Sequence, residues 1–435
     1  MRKEVRRDIL RIALPSMGSS IFYMAYGIVD LMWIGMLGKE AIASVTLAMS
    51  FYNVNYILNE IFGVASIVIL ARRWGEGRRK EFERVGRQIV IYKFFAGIFL
   101  ASVTIPLAEL ILVWMGGGKV PSGDAVSYYT YRAFFLPFSF LGGTMMTTFR
   151  SIGDTKTLFI VSAIGASANI FLDPVLMFWA GMGVVGSALA SGICETSAML
   201  LGFYLAHRKW NVWLLKPTKL EFEILKKVFV IGGPSLLDSI NWNISRFVTV
   251  KIFSSLGVLA TATLGIFFRI VEIGWMVGFA LEGAVTTLVG QSLGARVKER
   301  AREVFREGFK MGGLMGGMFT LVVLTMAPFI AGFFAHSEDL LSSATTFLKI
   351  SSFGFFFMPL LNVAYGTLIG GGRTLDTFYI GLVSNWGFRI PMMWIVSTLT
   401  GDYMPLGIIF STSIAVGVAM GLLAIKREKW LKMIV

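Results

Sequence analysis

Long apolar stretches follow one another along almost the whole of this 435-residue chain. A helix needs about 20 consecutive apolar residues to cross a bilayer, and twelve such stretches, separated by charge, glycine or proline, can be placed on the sequence. Hydrophobic residues make up 55% of the chain and charged residues only 15%, which is too apolar for a soluble domain. The sequence therefore predicts an all-α integral membrane protein with twelve transmembrane helices. These helices are expected near residues 12–36, 42–70, 87–115, 125–150, 157–179, 183–206, 225–255, 258–291, 308–334, 340–369, 375–399 and 404–425.

The basic residues indicate how these helices are oriented. Lys and Arg are retained in cytoplasmic loops, and here they are concentrated before the first helix and in every second loop, as in 72–87 and 296–310. This pattern predicts a multi-pass protein of the inner (plasma) membrane with both termini in the cytoplasm. It also explains the net charge of +14 without a nucleic-acid partner. The basic N-terminus is followed by an apolar stretch with no small-residue cleavage site, so we expect an uncleaved first helix.

The two halves of the chain repeat each other. At a constant shift of 219 positions, Pro15 corresponds to Pro234, and the segment 37–43 corresponds to 256–262. Because each repeat contains six helices, an even number, the halves should share one orientation and be related by a pseudo-two-fold axis along the membrane normal. The expected domains are an N-terminal six-helix lobe at 1–210, a cytoplasmic interlobe linker at 211–227 and a C-terminal six-helix lobe at 228–435.

Acidic side chains inside the first-half helices are the main candidates for a functional site, because charge within a bilayer is costly. Asp30 and Asp173 each lie about six residues before the outer end of a predicted helix, so both should lie roughly 9 Å below the outer surface. Asn169 shares a helical face with Asp173, and Ser191 falls near the same depth. Such oxygens suit Na⁺, and two neighbouring carboxylates can also hold H⁺. We predict that Asp30, Asn169, Asp173 and Ser191 form a cation-coupling site, with Na⁺ or H⁺ as the ion.

The second half carries different polar residues. The positions that match Asp30 and Asp173 are Thr249 and Arg389. A purely structural requirement would be expected in both halves, so this asymmetry favours ion coupling by the acid pair.

Two second-half acids are candidates for a substrate contact or a secondary proton site. Glu272 and Asp238 lie near the middle of predicted helices, where either could bind a cationic substrate. Arg269 lies three residues before Glu272 and could instead neutralise it as an i,i+3 pair. In the first half, Glu60 and Glu195 are interpreted as interlobe or helix-pairing groups.

Six short motifs along the chain can be compared with known families. They are Pro15–Ala43, Arg150 with Gly153 and Asp154, Asn169–Pro174, Gly186–Ser191, Gly290–Ala295, and Arg389 with Pro391. These motifs resemble those of the multidrug and toxic compound extrusion (MATE) family, and the bacterial and archaeal DinF-like branch in particular. The resemblance implies V-shaped inward and outward states and antiport driven by Na⁺ or H⁺, with ion coupling at Asp30, Asn169 and Asp173. Ser191 stands where the family often has Thr, and Gly142–Thr144 occupy a region where relatives often carry Asn.

The expected function is that of a secondary active antiporter, which exports organic cations or drugs in exchange for H⁺ or Na⁺ by alternating access. We expect a monomer in contact with membrane lipids, with organic-cation or amphipathic small molecules as substrates and no cofactor besides the coupling ion. ATP-driven transport by this chain alone is not expected, because the sequence holds no GxxxxGK[ST] phosphate-binding loop. An enzyme is not expected either, because there is no HExxH zinc motif and no intramembrane Ser/His pair.

A lipid or lipid-linked oligosaccharide flippase of the same superfamily is the alternative. Its cavity should be cationic, so the orientation of the basic residues at membrane depth distinguishes the two functions. These residues are Lys93, Arg132, Arg246, Lys251, Arg269 and Arg389.

Overall fold

The computed structural model describes residues 1–117 and 122–432, which are almost entirely helical. Residues 118–121 and 433–435, and with them the end of the predicted C-terminal lobe, lie outside the described residues. The first-half helices are α1 (Arg2–Met36), α2 (Lys39–Ile57), α3 (Asn59–Gly75), α4 (Arg79–Gly116), α5 (Ser122–Phe134), α6 (Leu136–Ile152), α7 (Thr155–Pro174), with a π-helical continuation Val175–Trp179, and α8 (Gly183–Trp210).

The second-half helices follow a similar order, except that one unbroken helix, Val258–Gly294, stands where the first half has α2 and α3. They are α9 (Phe222–Ser255), α10 (Val258–Gly294), α11 (Lys298–Gly332), α12 (Glu338–Ser351), α13 (Gly354–Gly370), α14 (Thr374–Leu382), α15 (Ile390–Thr400) and α16 (Met404–Lys426), with a π-helical stretch Val383–Arg389 between α14 and α15 and a 3₁₀ turn Lys429–Leu431 after α16.

Each of the twelve predicted helices coincides with helical structure, but three of them are broken in two, as α2 with α3, α5 with α6, and α12 with α13. The bend between α2 and α3 is 42°, and the bend between α12 and α13 is 49°. Two others are continuous but contain a π-helical stretch, which extends α7 and joins α14 to α15. Pro137 and Pro391 stand in the first turns of α6 and α15, where proline is tolerated because the first helical N–H groups have no partner within their own helix.

Seven of the helices in the described residues are individually long and apolar enough to cross a membrane, or up to nine spans if each bent pair counts as one. They are Arg2–Met36, Arg79–Gly116, Thr155–Trp179, Gly183–Trp210, Val258–Gly294, Lys298–Gly332 and Met404–Lys426, and the bent pairs are α2 with α3 and α12 with α13. α9 is more polar because Asp238, Asn241 and Asn243 interrupt its apolar residues.

The chain packs as two compact units. Leu14–Gly232 form one, here called the N-terminal unit, and Met1–Ala13 with Gly233–Val435 form the other, the C-terminal unit. The basic start of α1 is helical from Arg2 onward and belongs to the second of these, where Asp8 binds Arg300 at 2.9 Å and Arg2 binds Glu303 at 3.1 Å. The lobe boundaries drawn from the sequence, 1–210 and 228–435, remain a prediction.

Within the N-terminal unit, the predicted linker is tied to the first turns of α4. The backbone N–H of Glu221 donates to Gln88 at 3.0 Å, and the Arg84 guanidinium pairs with the Glu221 carboxylate. This pairing holds the pKa of Glu221 below its usual range. The segment before α9 is therefore bonded to α4 at both its backbone and its side chains.

Asp154 holds the start of α7 against the end of α8. As the N-cap of α7, its carboxylate accepts from the Thr157 backbone N–H at 3.3 Å, and it also accepts from the Lys209 ammonium at 2.7 Å and the Trp210 indole at 2.8 Å. Burial raises the pKa of Asp154, but these donors outweigh it and hold the pKa below its ordinary value of 3.8. The clamp fixes the two helices that carry Asn169, Asp173 and Ser191.

Replacing Asp154 by asparagine should lower the free energy of unfolding by about 1–3 kcal/mol at neutral pH, because a buried ionised acceptor is lost. A carboxylate whose pKa is lowered by folding stabilises the protein above its unfolded pKa, and this contribution is lost as the pH falls through the folded pKa. The difference in melting temperature between wild type and Asp154→Asn in detergent should therefore be constant near neutral pH and shrink below about pH 4.

Asp376→Asn is the matched control for this clamp. Asp376 pairs with Arg373 at 2.8 Å within one helical turn, and both side chains are partly exposed. Such a pair contributes about 0–1 kcal/mol, so this variant should melt close to wild type. Equal losses in the two variants, or a loss in Asp154→Asn that does not change with pH, would contradict the proposed clamp.

Candidate cation-coupling site

Asp30 and Asp173 lie side by side in the N-terminal unit. Asp30 comes from α1 and is half-buried, whereas Asp173 ends the regular part of α7 and is fully buried. Their carboxyl groups lie close enough for each to affect the charge of the other. Two carboxylates this close repel each other unless a proton or another cation lies between them. An acid pair of this kind is chemically suited to a cation, and cation binding there remains a prediction.

Asn169 and Ser191 complete the predicted group of four. In the orientation that satisfies both of its polar atoms, the Asn169 amide donates to Asp173 Oδ2 at 2.8 Å and accepts from the Ser191 backbone N–H at 3.0 Å. Asn169 and Ser191 are both buried, with 2% and 3% exposure. The structure thus brings all four predicted residues into one network, while their role in ion coupling remains a prediction.

Three residues that the sequence analysis missed belong to this network. Ser187 donates to Asp30 Oδ1 at 2.8 Å, Tyr128 hydrogen-bonds Ser187, and the hydroxyl groups of Tyr26 and Ser191 lie 2.8 Å apart. Tyr26 precedes Asp30 by four residues, and Ser187 precedes Ser191 by four. Both could have been found by the i,i+4 rule that placed Asn169 beside Asp173. Tyr128 carries no such signal.

The local sequence explains why α7 and α8 approach so closely at this point. Pro174 follows Asp173 and cannot donate a backbone hydrogen bond, and the helix continues as the π-helical stretch Val175–Trp179. Gly186 in α8 packs against that stretch, where an added Cβ would lie 2.7 Å from the carbonyl carbon of Leu176. Only glycine permits this approach, which brings Ser187 to Asp30. Interruptions of this kind are frequent at functional sites.

A cavity of about 170 Å³ adjoins the network within the N-terminal unit. Asn169 and Ser191 form part of its wall, so the cavity reaches the acid pair through these two side chains. Gly142 and Gly143 also line it, which shows that the region where relatives often carry Asn contributes open space here. Its larger side chains are tyrosines and methionines: Tyr23, Tyr26, Tyr52, Tyr56, Met49, Met145, Met146 and Met199.

The same cavity contains an ion pair between Arg132 in α5 and Glu195 in α8, with the two groups 2.5 Å apart. Ser139 in α6 donates to the other oxygen of Glu195 at 2.8 Å, and the Arg132 guanidinium lies over the Tyr52 ring, 4.6 Å from its centroid. The interpretation of Glu195 as a helix-pairing group is confirmed, because it joins α5, α6 and α8.

Two of the other basic residues at membrane depth are buried and do not line this cavity. Lys93 is fully buried. Its ammonium and the Asn59 side chain both lie close to Gly143, and the ammonium has no hydrogen-bond partner among the described residues. In the C-terminal unit, Arg389 is buried between the rings of Trp242 and Phe410, each 5.0 Å away.

The two acidic candidates of the second half, Glu272 and Asp238, both lie in the C-terminal unit. Glu272 is 46% exposed and pairs with Arg246 at 2.8 Å and with Arg269 at 3.6 Å, so the predicted i,i+3 partner is present but a residue of another helix is closer. Asp238 packs against Gly381. Substrate or proton roles for Glu272 and Asp238 remain predictions.

Thr249, the second-half counterpart of Asp30, is buried and donates to the Ser245 carbonyl of its own helix at 2.8 Å. That is a common arrangement for a hydroxyl in a helix. The acid pair thus has no acidic counterpart at this position of the C-terminal unit.

Comparison with known proteins agrees with this architecture. The model of the MatE family matches residues 15–175 and again residues 234–395. The second match begins 219 positions after the first, which confirms the internal repeat.

Relatives and solved structures extend the likeness over nearly the whole chain. The chain is 24% identical over 406 residues to a probable multidrug resistance protein NorM of Thermotoga maritima, covering 90% of this chain and 86% of the relative. It is 25% identical over 427 residues to the multidrug export protein MepA of Staphylococcus aureus, covering 95% and 91%. A transporter of the MOP superfamily from Pyrococcus furiosus has the same fold, with a TM-score of 0.88, 20% identity, and coverage of 99% of this chain and 97% of that one.

Fold and comparisons together define an all-α, multi-pass membrane transporter rather than an enzyme. The chain belongs to the MatE family, the MATE transporters. The predicted family and fold class are confirmed, whereas the assignment to the DinF-like branch stays a prediction.

Proposed function

We propose that this protein is a multidrug efflux transporter that exports organic cations in exchange for inward-moving Na⁺ or H⁺. The observation that carries the proposal is the position of the cavity, whose tyrosine- and methionine-rich wall reaches the acid pair through Asn169 and Ser191. Tyrosine faces attract cations, and methionines adapt to ligands of different shape. The proposed ion site therefore adjoins a space suited to organic cations.

The names of the relatives support the same reading. The proteins from Thermotoga maritima and Staphylococcus aureus are described as multidrug resistance and multidrug export proteins. By this proposal the protein works as a monomer in the plasma membrane with both termini in the cytoplasm, in contact with lipids, and needs no cofactor besides the coupling ion. Organic cations and amphipathic small molecules are its substrates.

The polarity of the cavity weighs against the flippase alternative. For the Pyrococcus furiosus transporter, reversed polarity of the binding pocket was taken to suggest a different function, so the sign of the cavity is a useful criterion. A phosphate-bearing lipid needs uncompensated positive charge. Here the basic residue of the cavity wall, Arg132, is paired with Glu195, and its charge is already compensated.

Transport by the purified protein in proteoliposomes tests the proposal. We expect a fluorescent organic cation to move against an imposed gradient of Na⁺ or of H⁺, imposed one at a time, and to stop when that gradient is dissipated. The gradient that drives the movement identifies the coupling ion. Movement of a fluorescent lipid analogue without any gradient-driven movement across a panel of organic cations would overturn the proposal in favour of a flippase.

A further inference from the structure

The Arg132–Glu195 pair is a charged element of the cavity to which ion coupling assigns no role. Its two members are unequally buried: the Arg132 side chain is 5% exposed, whereas the Glu195 side chain is 29% exposed. Both line the cavity, and Glu195 is therefore the more accessible of the two to a molecule there. Nη1 of Arg132 is buried without a hydrogen-bond partner among the described residues, so the guanidinium keeps bonding capacity that Glu195 does not use.

One route joins this ion pair to the acid pair through Tyr26. The Tyr26 hydroxyl contacts the Ser191 hydroxyl at 2.8 Å, and Tyr26 also lies near Asp30, Glu195 and Arg132. A single side chain thus lies close to both sites.

A second route runs through Tyr128, which is fully buried. Tyr128 hydrogen-bonds Ser187 and lies near both Asp30 and Arg132, and Ser187 donates to Asp30 at 2.8 Å. Arg132 also lies within electrostatic range of Asp30. The guanidinium of the ion pair and the acid pair are therefore close enough to affect one another.

We propose that Glu195 is the anionic contact for the cationic substrate and that Arg132 is shared between Glu195 and the acid pair. An organic cation beside Glu195 replaces Arg132 as its counter-charge. A buried guanidinium left without a counter-charge is costly, and Asp30 lies within electrostatic range of Arg132, so the acid pair can compensate this charge once its ion has left. Entry of one positive substrate charge then favours release of one positive ion.

The reverse step follows from the same charges. When an ion neutralises the acid pair, Arg132 returns to Glu195 and the contact for the substrate is lost. Ion and substrate compete in this way without occupying the same atoms. This inference rests on the proposed export of organic cations and adds the residues that recognise the charge of the substrate.

Equilibrium binding in detergent tests the proposal with two probes of similar shape, a fluorescent quaternary ammonium dye and its neutral analogue. In wild type, saturating coupling ion should weaken dye binding by about 5–150-fold and leave the neutral analogue unchanged. Glu195→Gln should weaken dye binding and spare the analogue. Arg132→Gln should strengthen dye binding, because Glu195 loses its internal partner. In this variant the dye affinity should no longer depend on the ion.

Two further variants keep the test decisive. The double variant Arg132→Gln with Glu195→Gln removes both charges and so avoids a lone buried one; it should fold, bind the neutral analogue and ignore the ion. Glu109→Gln removes an exposed charge of α4 that does not line the cavity, and ion sensitivity should survive. Full ion sensitivity in Arg132→Gln, or in the double variant if the single one does not fold, would overturn the proposal, as would equal weakening of both probes by Glu195→Gln. The proposed function fails only if the wild type shows no gradient-driven transport. The two failures can therefore be told apart, because either binding result above leaves that transport unchanged.

Discussion

Replacing Asp30 by asparagine should abolish ion-driven export while leaving the protein folded. The substitution keeps the size of the side chain and a group that accepts from Ser187, which donates to Asp30 at 2.8 Å, but it removes one of two neighbouring carboxyl groups. A single carboxyl beside a neutral amide no longer holds a cation as the pair does. In proteoliposomes, movement of the organic cation under an imposed ion gradient should fall to the rate measured without a gradient.

Asp173→Asn should have the same effect, and the double variant should lose little beyond either single one. Residues that act as one site are strongly non-additive, so additive losses would mean that the two acids act separately. Glu109→Gln is the control, since Glu109 is an exposed acid of α4 that lies outside the network. If the folded Asp30→Asn protein exports at the wild-type rate, Asp30 has no role in ion coupling.

Much of the coupling site could be predicted because it depends on local helix geometry. Depth along a helix placed Asp30 and Asp173 at one level, and the spacing of four residues placed Asn169 beside Asp173. The structure brings these residues together with Ser191. The same rule applied to Tyr26 and Ser187 would have extended the network further.

The rest of the site depends on contacts between helices, which periodicity does not report. Arg132 and Glu195 are 63 residues apart, and no pattern in either helix predicts their pairing. For Glu272, the i,i+3 rule indicated Arg269, yet Arg246 of another helix lies closer. Sequence periodicity identifies which face a residue occupies, whereas its partner is decided by how two faces pack.

The two halves of the repeat share a backbone feature but differ in their acidic residues. Both halves match the same family model, and both contain a π-helical stretch at the corresponding helix, Val175–Trp179 and Val383–Arg389. The first stretch follows Asp173, whereas the second ends in Arg389, which is buried between aromatic rings. The backbone interruption is thus common to both halves, and the acid pair is confined to the first.

Saturating Na⁺, or acidification if H⁺ is the coupling ion, should lower the equilibrium affinity for an organic cation by about 5–150-fold. A ligand shifts an equilibrium only through its different affinity for two states, so ion and substrate must weaken each other if they are exchanged rather than carried together. Titrating the fluorescent cation in detergent with and without the ion measures this factor. In Asp30→Asn the factor should fall to one, because the site that distinguishes the two states has lost its charge.

Thermodynamic reciprocity makes the prediction stricter. The factor by which the ion weakens substrate binding must equal the factor by which the substrate weakens ion binding, and the second can be measured independently by titrating the ion at saturating substrate, with release of the ion or proton as the signal. Equal factors in wild type and their joint loss in Asp30→Asn would place the competition at the Asp30–Asp173 pair. If the factor persists in Asp30→Asn, the competition arises elsewhere in the cavity, and if neither ion changes the affinity of the wild type, the acid pair is not a coupling site and the flippase function gains.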